Sequence, residues 1–205
     1  MGKGQGKRAP ARALTRGAAW TLGAALALAA GGAAAQINPL SIVGRAVTTA
    51  MDVRSKSEVA NDAEIGAGIS KRLLDDKGAE WKGVTALVFQ QHVVLAGAVK
   101  SDPVRKRVEE LARRDKRIRS LKNELLLGDV GSLARDTALE AEINATLTAT
   151  SGVASVNMRW CATGGSVVLM GVARTQQEAA LATSRVRGIK GVKNVRPLLR
   201  VAAKK

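Results

Sequence analysis

Few residues of this sequence could do chemistry. It contains one histidine, His92, and one cysteine, Cys161, which cannot form a His/Cys zinc site or an intramolecular disulfide. No Asp, Ser or Cys is patterned beside His92, so we expect a solvated residue at a hairpin turn, and Cys161 is expected to be a small buried thiol. No carboxylate pair lies at matched positions of the repeat described below, and no phosphate-cradling loop precedes a helix. The sequence predicts no catalytic residue, no metal site and no cofactor.

Basic residues are the other chemical feature. Lys and Arg number 33 against 17 Asp and Glu, a formal net charge of +16. Residues 102–122 hold nine basic and four acidic residues, and residues 174–205 hold nine basic residues and one acidic residue. Such a run is often only a solvated surface, but it can also bind anionic lipid, at roughly 1 kcal/mol for each Lys or Arg. The candidate lipid-binding residues are Arg185, Arg187, Lys190, Lys193 and Arg196, and the secondary basic face is Arg113, Lys116 and Arg117.

The first 35 residues have the features of a secretion signal. A basic start precedes small and apolar residues from 17 to 30, and Ala33-Ala34-Ala35 resembles a cleavage site. Because the apolar run is short for a membrane span, residues 1–35 are predicted to be a cleaved signal peptide, with an uncleaved anchor as the alternative. No cysteine comes directly after the signal, as it would in a bacterial lipoprotein, so we expect a periplasmic protein without a lipid anchor, soluble or peripheral at a membrane.

Export limits the partners that this charge can serve. Removal of residues 1–35 leaves 28 basic and 17 acidic residues, a balance that indicates nucleic acid for a cytoplasmic protein. In the periplasm the anionic partners are phospholipid headgroups, lipopolysaccharide and acidic proteins. The sequence Gly188-Ile-Lys-Gly191 matches a G-x-x-G loop that contacts nucleic-acid backbones, but it links a predicted helix to a strand, so we interpret it as a turn. We expect no nucleic-acid partner.

The remainder of the chain is an internal repeat. An offset of 74 residues aligns two segments without a gap and places Val93-Val94-Leu95 on Val167-Val168-Leu169. Such self-similarity indicates two copies of one structural unit. The predicted boundaries are a lead-in at 36–60, domain 1 at 61–128, a linker at 129–135 and domain 2 at 136–203.

Each copy has the pattern of a small α+β unit. Apolar residues at four-residue spacing predict a first helix, which Asn61 or Asp62 could cap in copy one. Two strands follow, at 84–89 and 93–99 in copy one, and the second alternates apolar residues onto one face. A third strand is predicted at 121–127 and at 195–201.

The second helix of each copy has its own start signal. Asp102 followed by proline predicts an N-cap in copy one, and Thr175 with Glu178 predicts a capping box in copy two. Gly188 is expected to end the copy-two helix in the left-handed conformation. The predicted fold class is α+β: two tandem αββαβ sandwiches, each with two helices packed on a three-stranded mixed sheet. Packing the copies together would add burial to two marginal cores.

Two glycines and the strand around them carry a family resemblance. The pattern V-x-L-x-G-x-V, followed by a capped helix and V-x-x-V-x-N-x-L-x-V, resembles the BON domain family of exported bacterial proteins. Gly97 and Gly171 are the pattern's glycines, and we expect them to permit close approach of a helix or loop to the sheet. The chain departs from the pattern at Gln90-Gln91, where the family has Asn-Gly, and at Pro197, where it has Asn. Proline predicts the start of a strand or an edge strand there.

The resemblance also implies a function. A signal peptide followed by two such domains resembles the periplasmic dual-BON proteins of osmotically inducible or outer-membrane-associated type. In these proteins phospholipid binding is associated with the second domain, here residues 136–203. Domain 2 is expected to dominate because the acidic Glu109, Glu110 and Asp115 reduce the positive potential of domain 1.

Two hypotheses of different class follow. The first is a non-enzymatic periplasmic protein that binds anionic phospholipid at a membrane surface and supports envelope integrity. The second is a soluble periplasmic chaperone, or an osmotic or envelope-stress protein, that holds unfolded outer-membrane proteins; its partners would be outer-membrane or envelope proteins. A chaperone needs exposed apolar surface rather than basic charge. An enzyme is rejected for want of a catalytic constellation.

Overall fold

The computed structural model describes residues 52–76, 81–129 and 131–202. The predicted signal peptide, residues 1–35, and the lead-in as far as residue 51 lie outside the described residues. No helix within the described ranges is long and apolar enough to cross a membrane.

Two copies of one element order follow each other along the chain. The first copy contains helix α1 (Lys56–Asp75), strands β1 (Val84–Phe89) and β2 (His92–Val99), helix α2 (Asp102–Arg113) and strands β3 (Ser120–Asn123) and β4 (Leu126–Leu127). The second contains helix α3 (Leu133–Ala149), strands β5 (Met158–Thr163) and β6 (Ser166–Ala173), helix α4 (Gln176–Arg187) and strand β7 (Asn194–Val201). Elements β5, β6 and α4 follow β1, β2 and α2 by 74 residues. The α+β fold class and the tandem repeat are confirmed.

Each copy forms a mixed sheet with its second strand in the centre. Strand β1 pairs antiparallel with β2, and β3 and β4 pair with β2 in parallel. In the second copy β6 pairs antiparallel with β5 and in parallel with β7, from Ser166 opposite Asn194 to Ala173 opposite Val201. Because β7 pairs only with β6, Pro197 lies on an edge strand, where the absence of its N–H is tolerated.

The two helices of each copy cover one face of its sheet. In the first copy the fully buried Ile65 and Ile69 of α1 pack in one cluster with Leu95 of β2. In the second copy Ile143 of α3 packs in the same way with Leu169 of β6. These residues lie at the four-residue and two-residue spacings that predict a helix and a strand with one buried face.

The other faces of the two sheets pack against each other. Leu87 and Phe89 of the first copy form one buried cluster with Cys161, Val168 and Met170 of the second. The central strands β2 and β6 are therefore buried on both faces, as their near-continuous apolar sequences require. Full burial contributes about 1.5–3 kcal/mol for a side chain such as Leu or Phe, so this shared cluster supports two cores that would be marginal alone.

The start of α1 differs from the predicted cap. The helix begins at Lys56, and the side chain of Ser55 accepts a hydrogen bond from the N–H of Glu58 while the Glu58 carboxylate binds the N–H of Ser55. This reciprocal capping box satisfies the free N–H groups of the first turn. The prediction of Asn61 or Asp62 as the cap is wrong, because the Asp62 carboxylate binds the turn between β1 and β2 instead.

The starts of the second helices are partly as predicted. Helix α2 has Ser101 rather than Asp102 at its N-cap position, because the Asp102 carboxylate pairs with Lys106 at 3.1 Å instead. Helix α4 begins after Thr175, whose hydroxyl accepts the N–H of Glu178 at 3.1 Å as predicted. The capping box is incomplete, because the carboxylate of Glu178 accepts the N–H of Arg174 at 2.9 Å instead of the N–H of Thr175.

Two further local predictions are wrong. Gly188 has φ of −76°, in the right-handed region, because its N–H continues the hydrogen-bonding pattern of α4 to the carbonyl of Ser184. The third strand of copy one is broken into β3 and β4. The break arises because the side-chain oxygen of Asn123 accepts the N–H of Leu125 at 3.2 Å, a local bond that competes with strand pairing.

Candidate functional site

All five candidate lipid-binding residues are exposed, but they occupy three different positions. Arg185 and Arg187 lie in the last turn of α4, where positive charge also interacts favourably with the helix dipole. Lys190 and Lys193 lie in the loop between α4 and β7, and Arg196 lies within β7. The five residues therefore do not form one continuous patch by their position in the fold.

The structure brings Lys190 and Lys193 together in one open cleft. This cleft, about 650 Å³ in volume, lies between the start of α3, the β5–β6 turn and the loop after α4. The N-terminal part of α3 contributes Arg135, Asp136 and Glu142 to its wall. Neither Arg185, Arg187 nor Arg196 lines it. The residues that sequence reasoning missed are thus those of α3, and the offset that aligns Asp136 with Asp62 could have indicated them.

Asp136 supports the turn that forms one wall of the cleft. Its carboxylate accepts the N–H of Gly164 at 2.9 Å. Burial raises the pKa of Asp136, while the hydrogen bond from Gly164 and the nearby charge of Lys193 oppose that rise. The cleft therefore combines the cations Arg135, Lys190 and Lys193 with the carboxylates of Asp136 and Glu142, which leaves a formal balance of one positive charge.

The equivalent region of copy one is closed by an ion pair. Nη1 of Arg117 lies 2.6 Å from Oε2 of Glu64, across the gap between α1 and the loop after α2. The residues at the same positions of copy two are Gly191 and Ala138, both of which line the cleft. The cleft is open because two long side chains are replaced by a glycine and an alanine.

The secondary basic face is largely neutralised by carboxylates. Arg113 pairs with Glu109 at 2.6 Å, and Arg117 pairs with the buried carboxylate of Asp115 at 2.9 Å. The hydrogen bonds from Arg117 hold the pKa of Asp115 well below its usual range. Lys116 is exposed and takes part in no ion pair of the described residues. Two of the three charges are therefore bound within the protein.

Arg196 is engaged between the two copies. Its Nε lies 3.1 Å from Oε2 of Glu124, which follows β3 in the first copy. By contrast, Arg185, Arg187, Lys190 and Lys193 form no ion pair in the part of the chain that the structure describes. These four candidate residues therefore remain available to an external anion.

Gly97 and Gly171 occupy equivalent positions where the backbone is crowded. Both have positive φ, +114° and +133°. A Cβ atom on Gly97 would lie 1.8 Å from the carbonyl oxygen of Gly83, and one on Gly171 would lie 2.1 Å from that of Asn157. Each carbonyl belongs to the short 3₁₀ turn before the neighbouring strand. The two glycines therefore set the packing of the sheet, and neither lines the cleft that contains Lys190 and Lys193.

Equivalent aspartates support the two hairpin turns in different ways. Asp62 accepts the N–H groups of Gln90 and Gln91 at 2.8 and 2.7 Å and pairs with Arg54 at 3.0 Å. Gln90 and Gln91 have φ of 52° and 64°, which glycine or asparagine adopts far more readily. Copy one thus retains the turn conformation without the residues that favour it, and Asp62 stabilises it.

The thiol of Cys161 is free and buried in the cluster between the sheets, as predicted for a buried cysteine. Burial raises the pKa of Cys161 to about 12, so the thiolate is scarce at neutral pH. Within the described residues, no group of three His, Cys, Asp or Glu side chains is arranged to hold a metal ion.

Comparison with known proteins gives the following relatives. A protein of Anaplasma centrale described as an uncharacterized protein in the gshII 5' region is 31% identical over 139 residues, which are 66% of this chain and 91% of that protein. The C-terminal domain of CdsD, a structural protein of the type III secretion system of Chlamydia trachomatis, is 16% identical, with 69% of this chain and 67% of that chain covered and a TM-score of 0.30. A second CdsD structure is 15% identical, with 69% and 64% covered and a TM-score of 0.28.

The repeat itself is matched by a family model. The BON domain model matches residues 61–129 and again residues 135–203. These two matches cover well over half of the chain and coincide with the two copies of the αββαβ unit. The chain belongs to the BON domain family.

Proposed function

We propose that this protein is a non-enzymatic periplasmic protein that binds anionic phospholipid at a membrane surface through its second BON domain. The observation that carries the proposal is the difference between the two copies in the fate of their basic residues. In copy one Arg113 and Arg117 are bound by carboxylates, whereas in copy two Arg185, Arg187, Lys190 and Lys193 have no ion-pair partner among the described residues. Family membership supports the choice of lipid as the anion.

The expected strength follows from these four charges. Each Lys or Arg near an anionic surface contributes roughly 1 kcal/mol, so together they contribute about 4 kcal/mol. That value corresponds to about a thousandfold higher partitioning onto an anionic than onto a neutral surface. Arg135 adds to the same cleft, and Arg196 contributes less because Glu124 already binds it. Binding of this kind is reversible and decreases as salt screens the charges.

The test is co-sedimentation with vesicles of phosphatidylglycerol and of phosphatidylcholine. The protein is purified from a Gram-negative host that exports it, and mass spectrometry determines its N terminus. We expect the protein to bind phosphatidylglycerol vesicles and not phosphatidylcholine vesicles. The bound fraction should decrease strongly between low and physiological salt concentration. Equal binding to both lipids, or binding that salt does not change, would contradict the electrostatic mechanism.

Matched charge-reversal variants locate the binding surface. The triple substitution Arg185→Glu, Lys190→Glu and Lys193→Glu is expected to abolish binding. Arg117 is left unchanged in the copy-one control, because its loss would remove one of the two guanidinium partners of the buried Asp115. Arg113, Arg114 and Lys116 are reversed instead. This control makes the same change in net charge, and we expect it to weaken binding by less than tenfold, or about 1.4 kcal/mol. If the copy-one variant loses more binding than the copy-two variant, the assignment of lipid binding to the second domain is wrong.

A further inference from the structure

The only histidine of the chain lies in a polar cluster that the lipid-binding proposal does not use. Nδ1 of His92 is 2.6 Å from Oγ of Ser120, because His92 at the start of β2 pairs directly with Ser120 at the start of β3. The expectation that no serine lies beside His92 is wrong, because parallel strand pairing joins residues 28 positions apart. Neither residue lines the Lys190 cleft.

Two arginines from different copies flank this pair. Arg119 directly precedes Ser120, and its N–H donates to the carbonyl oxygen of Gln91 at 2.9 Å. Arg200, from β7 of the second copy, donates from Nη2 to the side-chain oxygen of Gln90 at 2.9 Å. The cluster therefore exists only when the two sheets pack in the observed arrangement.

The positive charge of this cluster is not balanced locally. Neither Arg119 nor Arg200 takes part in an ion pair within the described segments. Burial lowers the pKa of His92, and the charges of Arg200 and Arg119 lower it further, while Asp62 acts in the opposite direction. Burial and the charge of Arg119 also lower the pKa of Arg200.

The two nearby carboxylates have other cationic partners or lie in solvent. Asp62 pairs with Arg54 at 3.0 Å and binds the hairpin turn. Glu58, which interacts with Arg119 through charge, is exposed and is held by its capping box with Ser55. The pairing of β2 with β3 and the Arg200–Gln90 hydrogen bond thus bring two arginines, a histidine and a serine into one region, and no carboxylate of the described residues forms an ion pair with either arginine.

We propose that Arg119, Arg200, His92 and Ser120 form a binding site for a phosphate group in its dianionic form. Guanidinium groups present paired N–H donors that match the oxygens of phosphate, and the imidazolium and hydroxyl groups add single donors. A bound dianion would relieve the repulsion between the two guanidinium groups and would favour protonation of the imidazole. The group could be free phosphate or the phosphomonoester of a lipid headgroup, and the site is separate from the surface that the lipid-binding proposal uses.

The single histidine makes the test direct. Proton NMR of the imidazole C–H resonances of the purified full chain gives the pKa of His92 without assignment ambiguity. Sulfate is the first probe, because it remains a dianion throughout the titration, and sodium chloride at equal ionic strength is the control. We expect saturating sulfate to raise the pKa of His92 by about one pH unit, which corresponds to tenfold tighter binding to the imidazolium than to the imidazole form. An equal pKa in sulfate and chloride would overturn the proposal for free anions.

A double variant and a matched control test the residues. Arg119→Gln with Arg200→Gln is expected to remove the sulfate effect and to raise the pKa of His92 in chloride, because two repelling charges are lost. Arg113→Gln with Arg114→Gln removes the same charge elsewhere and is expected to leave both values unchanged. Persistence of the sulfate effect in the double variant would overturn the assignment. Far-ultraviolet circular dichroism checks that each variant is folded.

A second arm identifies the source of the phosphate. Inorganic phosphate at pH 7.5 is expected to shift the His92 resonances and to compete with sulfate. Phosphatidylcholine vesicles containing phosphatidic acid are compared with vesicles of equal charge containing phosphatidylglycerol, which lacks a phosphomonoester. If the double variant loses only its preference for phosphatidic acid, the lipid is the source. If neither inorganic phosphate nor phosphatidic acid distinguishes wild type from the double variant, no phosphate site exists, whereas the vesicle binding of the proposed function would be unaffected.

Discussion

Replacement of Asp62 by alanine should destabilise the protein far more than the same change at Asp136. The two residues occupy equivalent positions of the repeat, so the substitutions delete the same atoms, from the second turn of α1 and from the first turn of α3. Asp62 accepts two backbone N–H groups and pairs with Arg54, whereas Asp136 accepts the N–H of Gly164 alone among the described residues. The comparison therefore measures the interactions that copy one has added.

The loss at Asp62 can be worked from its contacts. Each half-buried N–H that loses its acceptor costs about 1 kcal/mol, the low end for a buried donor. The side chain of Arg54 is only 3% exposed and pairs with both Asp52 and Asp62. Loss of the Asp62 carboxylate leaves the pair with Asp52, so the cost is about 1–2 kcal/mol, below that of leaving a buried charge unpaired. The free energy of unfolding should therefore fall by about 3–4 kcal/mol, which is about 10 °C in Tm for a chain of this size.

The loss at Asp136 should be about 1 kcal/mol, the value of one hydrogen bond. Burial raises the pKa of Asp136, so its ionised form is disfavoured in the folded protein, and removal of the carboxylate returns part of the lost stability. Gly164 and Gly165 adopt positive φ without the strain of a side chain. The expected decrease in Tm is about 3 °C.

Urea denaturation followed by circular dichroism at pH 7 gives both free energies of unfolding. Equal losses for the two variants, or a larger loss for Asp136→Ala, would refute the argument. A rescue experiment tests the reason for the difference. Gln91→Gly in the Asp62→Ala background should recover about 1 kcal/mol, because glycine adopts the left-handed conformation without the cost paid by glutamine.

Three further predictions follow from other contacts. Gly171→Ala should cost at least about 3 kcal/mol in urea denaturation, because the new Cβ would lie 2.1 Å from a carbonyl oxygen, whereas Gly164→Ala, with nothing within 4 Å, should cost only about 1 kcal/mol. Arg117 lowers the pKa of Asp115 in the folded protein. The contribution of Asp115 to the free energy of unfolding is therefore complete above its unfolded pKa of about 4 and is lost as pH falls toward the folded value. Asp115→Asn should make the free energy of unfolding depend less on pH between about 5 and 2. Cys161 should resist alkylation at pH 8 in the native protein and react after unfolding in urea. Rapid alkylation of the native protein would contradict this prediction and would mean that the two sheets separate readily.

The sequence by itself determined the repeat and its element order. The offset of 74 residues holds because both copies bury the same residues of a helix and of a central strand, such as Ile69 with Ile143 and Leu95 with Leu169. Apolar periodicity reports which face of an element is buried. The prediction of one buried face for the second strand of each copy was incomplete, because β2 and β6 are buried on both faces in the packed structure.

Local caps and breaks were less well determined, because short polar side chains have several partners within reach. Asp62 has the residue type and position of a helix cap, yet its carboxylate binds a turn 28 residues away. Asn123 has the position of a strand residue, yet it accepts the N–H of Leu125 and interrupts the strand. Which partner a side chain takes depends on distances that only the packed structure provides.

For the basic residues, the sequence shows where they cluster and the structure shows which of them form ion pairs. Their clustering at 102–122 and 174–205 was evident from the sequence, but ion pairing was not, because Glu64 meets Arg117 across 53 positions and Glu124 meets Arg196 across 72. Tertiary structure alone decided that Lys190 and Lys193 share a cleft with Arg135 and that His92 contacts Ser120. Net charge is a sum over residue types, whereas the potential that a partner meets depends on which charges the fold has already paired.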